Sequence, residues 1–189
     1  EEFSISSFVY DKDGKLVDTL HGTENRDPVD SLDEISPHVI DALLAVEDQR
    51  FYNHHGVDPY RIAGAFVANL KKGYIAQGGS TLTQQLVKIS MLDPKDKSLN
   101  RKIQEAVIAL KVENDYTKDE ILKHYLNKVY FGHSAYGIEA AAHTYFGKSA
   151  KDLEIEEAAM LAGIIQNPWK HSPILHPENA KNRRSTVLN

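Results

Sequence analysis

Cysteine is missing from all 189 residues, and that absence removes disulfide frameworks, thiolate nucleophiles and thiolate zinc sites together. It leaves the compartment open, because a domain of this size folds without covalent staples. Long apolar runs are missing too. None approaches the roughly 20 residues that cross a bilayer, and no basic-then-apolar leader opens the chain. Positive charge is not in excess: 22 Lys and Arg stand against 27 Asp and Glu, a net charge of -5. That balance argues against a general nucleic-acid binder but leaves room for a local basic patch. There is no repeat and no low-complexity tract. What is there, 41% hydrophobic residues with six Phe, nine Tyr and one Trp, is enough to bury a core in one domain with or without a small appendage. The chain opens on Glu1 and stops at Asn189 inside a helical pattern, so it is read as a stretch cut from a longer protein.

Residues 1–30 read as β. Phe8-Val9-Tyr10 and Leu16-Val17 flank the polar turn Asp11-Lys12-Asp13-Gly14, a hairpin signal. Beyond that the punctuation is helical. Ser36-Pro37 offers an N-cap with Pro at the first helical position, and Asp58-Pro59 repeats the device before Ile62–Leu70. Thr117 with Glu120 makes a capping box ahead of Ile121, Leu122, Tyr125, Leu126 and Val129, and Gly132 closes that helix. Further helices are expected over 80–91, 98–114, 136–146, 153–165 and 177–188. The fold class is therefore mostly α with a small N-terminal β-hairpin element.

Projected at 100° per residue, the helix from Pro37 places Ile40, Leu43, Leu44 and Glu47 on one stripe. A carboxylate that continues an apolar face is a candidate for a cleft group with a raised pKa, as a general base near neutral pH requires. On the wheel alone, a solvated residue at a fraying helix end explains Glu47 equally well. The next turn crowds Asp48, Arg50, Phe51, His54 and His55 together before Gly56. No third ligand at helical spacing accompanies the two histidines, so His54 reads as a structural hydrogen-bonding residue rather than a metal ligand.

Gly78-Gly79 precede Ser80 and Thr81 at a helix start, which leaves backbone N–H groups for an anion. Thr81, Gln84, Gln85 and Lys88 then form a polar face fit for a phosphate or sugar, opposite Leu82, Leu86 and Ile89. Residues 73–80 nearly match a phosphate-loop pattern, but Gly79 stands where its lysine must be, so nucleotide binding is rejected. In the helix after Asn100, Ile103, Ala106, Val107 and Leu110 make a core stripe. Arg101, Glu105, Ile108 and Val112 form a second stripe on the far side, with Glu105 in ion-pair reach of Arg101. Ile62–Leu70, nearly all apolar and followed by Lys71 and Lys72, is a core helix or a segment resting in a lipid interface.

In order, these segments resemble the peptidoglycan glycosyltransferase domain, family 51, of class A penicillin-binding proteins and monofunctional glycosyltransferases. Glu47-Asp48-x-x-Phe51-x-x-His54-x-Gly56 resembles the first motif, and Gly79-Ser80-Thr81-Leu82-Thr83-Gln84-Gln85-Leu86 with Lys88 the second. Arg101-Lys102-x-x-Glu105 resembles the third. Tyr125-Leu126-Asn127-x-x-Tyr130-Phe131-Gly132 with Gly137-Ile138 resembles the fourth, and Glu157-x-Ala159-x-Leu161-Ala162-Gly163 through Pro168 the fifth. Ile89 and His171 depart from the residues common at their places, and neither touches the carboxylates. No Ser-x-x-Lys, Ser-Asp-Asn or Lys-Thr-Gly of a transpeptidase is present.

The resemblance implies a lysozyme-like α domain over 31–189, with 1–30 following a membrane anchor at the extracytoplasmic face of the bacterial plasma membrane. It implies lipid II and the growing glycan strand as substrates, and a transpeptidase domain in the full-length protein; nucleic acid is not a partner. Glu47 is assigned as the base that deprotonates the acceptor 4-hydroxyl. Lys88, Arg101 and the Ser80/Thr81 helix start would meet the departing pyrophosphate. Glu105, the second catalytic carboxylate, would hold a divalent cation, Mg²⁺ or Mn²⁺, or position Arg101. Asp48, Phe51, His54, Gln84 and Gln85 are expected to shape the site and bind substrate, with Lys102 the weaker member of the basic pair. The lipid tail also gives residues 62–70 a reason to touch the membrane surface. Two other readings stay in view: a lysozyme-like hydrolase or lytic transglycosylase, which has no need of a pyrophosphate-binding set, and a non-enzymatic scaffold that binds lipid II.

Overall fold

The computed structural model describes residues 7–10, 12–14, 16–20, 24–72, 78–93, 96 and 98–189. Asp11 of the expected turn, residues 73–77 of the phosphate-loop comparison and the side chains of Lys71 and Lys72 lie outside what is described. The chain divides into two compact units, Glu1–Val46 with Leu126–Asn189 and Glu47–Tyr125.

The first unit opens with the expected hairpin: β1 (Ser7–Tyr10) runs antiparallel to β2 (Leu16–Leu20), with an irregularity between Val9 and Tyr10. A small second sheet was not foreseen. In it β3 (Asn25–Arg26) lies parallel to β5 (Ala135–Tyr136), which in turn lies antiparallel to β4 (Tyr130–Gly132). Gly132, expected to close a helix, instead belongs to β4. It sits at φ 91 ahead of His133 and Ser134, both also at positive φ, which make the tight return into β5. Helix α1 (Pro37–Glu47) starts at its Pro as expected, and the Ser36 hydroxyl before it has a long-range partner. It donates to the Leu153 carbonyl at 2.7 Å, tying the helix start to the loop before a later helix. The core of this unit is built from α1 with α6 (Ile138–Phe146) and α7 (Ile155–Ile165), whose Ala140, Ala141, Ala142, Ala158, Ala159 and Ala162 are buried, and α7 packs on α8 (Pro177–Leu188).

The second unit carries α2 (Pro59–Lys72), α3 (Leu82–Met91), α4 (Leu99–Asp115) and most of α5 (Lys118–Lys128). Local signals account for their starts. Asp58 Oδ1 accepts from the Tyr60 and Arg61 N–H groups, and Thr117 and Glu120 form the predicted capping box. The faces of two helices depart from expectation. On α2, Ala65 is buried while Phe66 and Leu70 are 68% and 73% exposed, so this stretch is not a core helix. On α4 the assignment inverts: Ile103, Val107 and Leu110 are exposed, while Glu105 and Ala109 face inward.

The inversion has a backbone cause at Gly56. It sits at φ +83, and a Cβ there would lie 2.7 Å from the Ala109 carbonyl carbon and oxygen. The chain at 56 rests directly on α4, and only glycine permits both the conformation and the approach. Gly56→Ala is expected to destabilise the protein by on the order of 2 kcal/mol or more, read as a lowered thermal midpoint. An unchanged midpoint would show that α4 yields to the added methyl group.

Candidate active site

The site is assembled within the second unit. Glu47, the last residue of α1, is half-buried, and its Oε2 accepts a hydrogen bond from Gln85 Nε2 at 2.9 Å. The Gln85 carbonyl end accepts from the Tyr125 hydroxyl at 2.9 Å. Burial pushes the Tyr125 phenol well above its ordinary pKa, and the Glu47 charge pushes it further the same way. Tyr125 thus remains a donor, which orients the Gln85 amide so that its NH₂ faces Glu47. Oε2 of Glu47 carries this hydrogen bond.

Asp48, Phe51 and His54 stand behind Glu47, and all three are buried. Asp48 Oδ2 accepts from the Leu82 N–H at 2.9 Å and lies 2.9 Å from His54 Nε2. Phe51 meets His54 edge-on at 6.0 Å between centroids. Of the two roles expected of them, shaping the site and binding substrate, their burial fits the first: they hold the loop that follows Glu47. His54 is buried and bonded to Asp48, whereas His55 is exposed.

The start of α3 was expected to offer free N–H groups to an anion. It is filled by the chain itself, because the Asp48 carboxylate takes the Leu82 N–H and Thr81 Oγ1 takes that of Gln84. Gln84 Oε1 in return accepts from Thr81 N–H, and the Thr81 hydroxyl donates to the Gly56 carbonyl at 2.6 Å. Thr81 and Gln84 are therefore buried capping residues rather than part of an open polar face. Of that face, Gln85 points at Glu47 and Lys88 is exposed.

The basic residues gather around Glu105, which is 1% exposed. Lys102 Nζ contacts Glu105 Oε1 and donates to Ser80 Oγ at 2.7 Å. Arg101 Nη1 lies 4.0 Å from Glu105 Oε2, an ion-pair distance, yet neither it nor Nε is hydrogen-bonded, although both atoms are buried. Lys102, ranked below Arg101 on sequence, is thus the closer partner of Glu105. One carboxylate already paired with an ammonium group and facing a guanidinium does not fit a resident divalent cation. Among the described residues, the metal-capable groups that do converge are Asp27, Glu139 and His143, in the first unit.

Glu113 went unnoticed on the sequence, and Tyr125 was noted there only as part of a helix and a motif, with no role in the site. Glu113 accepts from Thr83 Oγ1 and pairs with Lys118, and Tyr125 steers Gln85. Glu113 had a signal: it continues the inward spacing of Glu105 and Ala109 by one more step of four.

A transglycosylase family model matches residues 13–189. The chain is 49% identical over 183 residues to penicillin-binding protein 1F of Bacillus subtilis, covering 97% of this chain and 25% of that protein. To penicillin-binding protein 1A of Escherichia coli it is 44% identical over 180 residues, 95% of this chain and 21% of the relative. A crystal structure of penicillin-binding protein 1A from Haemophilus influenzae superposes with a TM-score of 0.51 at 26% identity, covering 100% of this chain and 18% of that one. The chain thus spans a quarter or less of the length of these relatives.

Proposed function

The chain belongs to the transglycosylase family as a peptidoglycan glycosyltransferase domain, and from that premise we propose that it polymerises lipid II into β-1,4-linked glycan strands with Glu47 as the base. The acceptor 4-hydroxyl attacks the donor anomeric carbon from the face opposite its pyrophosphate. The C–O bond to the pyrophosphate breaks, the configuration inverts, and the hydroxyl proton passes to the Glu47 carboxylate. Undecaprenyl pyrophosphate leaves without needing a strong general acid, because pyrophosphate is already a good leaving group. Gln85 and Tyr125 hold the carboxylate in place, so little reorganisation accompanies proton transfer.

The observation that carries this reading over glycan cleavage is the basic pair Arg101 and Lys102 gathered on the buried Glu105, with Arg101 Nε and Nη1 buried and making no hydrogen bond within the chain. A diphosphate supplies several acceptors for such a basic pair. A hydrolase acting on an uncharged glycosidic bond has no use for that pair. Glu105 positions Arg101 and Lys102 for that charge, and no step is routed through a metal.

The exposed Tyr60, Phe66, Val67 and Leu70 of α2 favour contact with the membrane surface that holds the lipid substrate. No helix among the described residues is long and apolar enough to cross a membrane. The relatives are named for penicillin binding, and we extend the proposal to a transpeptidase module elsewhere in the whole protein.

The deciding experiment offers purified protein either lipid II or preformed glycan strands. High-molecular-weight glycan from lipid II, with strands left intact, is expected. Fragments released from strands without polymer formation would replace the transferase by the hydrolase reading, and inertness toward both would leave the scaffold.

A further inference from the structure

Glu113 is a buried carboxylate that the reaction above does not use; its side chain is 2% exposed. Three elements reach it. Thr83 Oγ1 of α3 donates to Oε1 at 2.5 Å, Lys118 Nζ at the start of α5 lies 2.5 Å from Oε2, and His54 Nδ1 lies 3.6 Å from Oε1. His54 continues the line through Nε2 to Asp48, the residue after Glu47. Lys118 is held over the Phe51 ring, 4.5 Å from its centroid, and lies 3.5 Å from His54 Nδ1.

An ion pair that served stability alone could sit anywhere in the unit. This one is joined to both halves of the Glu47–Gln85 contact. On one side His54 and Asp48 lead to Glu47. On the other, Thr83 and Gln85 are two residues apart on α3, so their side chains project about 200° apart. Docking Thr83 on Glu113 therefore sets the rotation of α3 about its axis, and with it the direction in which Gln85 points. Asp48 fixes the same helix at its first N–H. The Glu113 and His54 side chains are buried and Lys118 reaches them from a partly exposed position, so each holds the others to a narrow geometry.

We propose that Glu113, clamped by Lys118, is a positioning residue for glycosyl transfer that sets the rotation of α3 and the seat of His54, and so holds Gln85 against Glu47. The inference rests on Glu47 being the base proposed above.

Two double variants test it without stranding a buried charge. Glu113→Leu/Lys118→Met removes the acceptor for Thr83, and Glu113→Gln/Lys118→Met keeps one. With lipid II, the Leu-containing variant is expected to lose kcat by about 10 to 100-fold with KM within about twofold of wild type. The Gln-containing variant recovers most of that loss, measured at a temperature where both variants are folded. Equal kcat in the two double variants, or a loss confined to KM, overturns the proposal. A second readout stands apart from the substrate assignment: the Gln85 side-chain amide NMR signals. They are expected to be sharp in wild type and in the Gln-containing variant, and shifted or broadened in the Leu-containing one. Unchanged signals overturn the positioning role even if lipid II proves not to be the substrate, whereas a wild type inert toward lipid II with these signals behaving as expected overturns only the substrate reading.

Discussion

Glu47→Gln is expected to abolish polymerisation of lipid II, with kcat falling by about 10² to 10⁴-fold, the range a positioned general base contributes. The substitution is nearly isosteric, and the glutamine oxygen can still accept from Gln85 Nε2, the contact the carboxylate makes at 2.9 Å. Packing, the thermal midpoint and substrate binding should therefore stay close to wild type. What disappears is the ability of the carboxylate to take the proton of the acceptor hydroxyl. A gel of products from purified lipid II, with a thermal melt alongside, reads both halves of the expectation. Substantial turnover by the folded variant would remove Glu47 from the role of base.

Asp48→Ala is expected to be the most damaging change to the fold of the site. Asp48 is fully buried, and one of its oxygens serves both the first N–H of α3 and His54 Nε2. Removing it leaves both without an acceptor in a water-poor interior, at a cost of about 3 kcal/mol. For a protein of this size that lowers the melting temperature by about 6–12 °C. The start of α3 loosens together with the loop behind Glu47, so kcat should fall on the order of 10²-fold even at temperatures where the variant is folded. Calorimetry and steady-state turnover check the two effects separately. A melting temperature within about 2 °C of wild type would mean that water or another donor arrangement takes over from the carboxylate.

Much of the fold was legible because its signals are local. The starts of α2 and α5 follow from Asp58-Pro59 and from Thr117 with Glu120, each a short-range exchange of hydrogen bonds that needs no knowledge of the rest of the chain. What could not be read depends on neighbours distant in sequence. The wheel for α4 shows two partly apolar stripes and cannot say which one meets the core. The close approach of Gly56 to Ala109 decides it, against the more apolar stripe. The helix start at Thr81 has the residues of an anion site, and only the fold reveals that Asp48 already occupies it. Gly132 carries the mark of a helix end, yet the chain spends its positive φ on the turn between β4 and β5. In the site, Glu47 stands out as a carboxylate continuing an apolar stripe, and Glu105 as one on the second, far-side stripe of α4 beside Arg101. Glu113 lay hidden in Glu113-Asn114-Asp115, which reads as a solvated acidic helix end.

The line of Asp48, His54, Glu113 and Lys118 also constrains how this protein can change over generations. Each member holds a charge or a hydrogen bond that another member needs in the interior. A single substitution therefore strands a partner, while a compensated pair need not. Sequence drift at these four positions should come in coordinated sets or not at all, and an isolated replacement at any one of them in a descendant chain would mark a domain that has given up turnover before it gave up its shape.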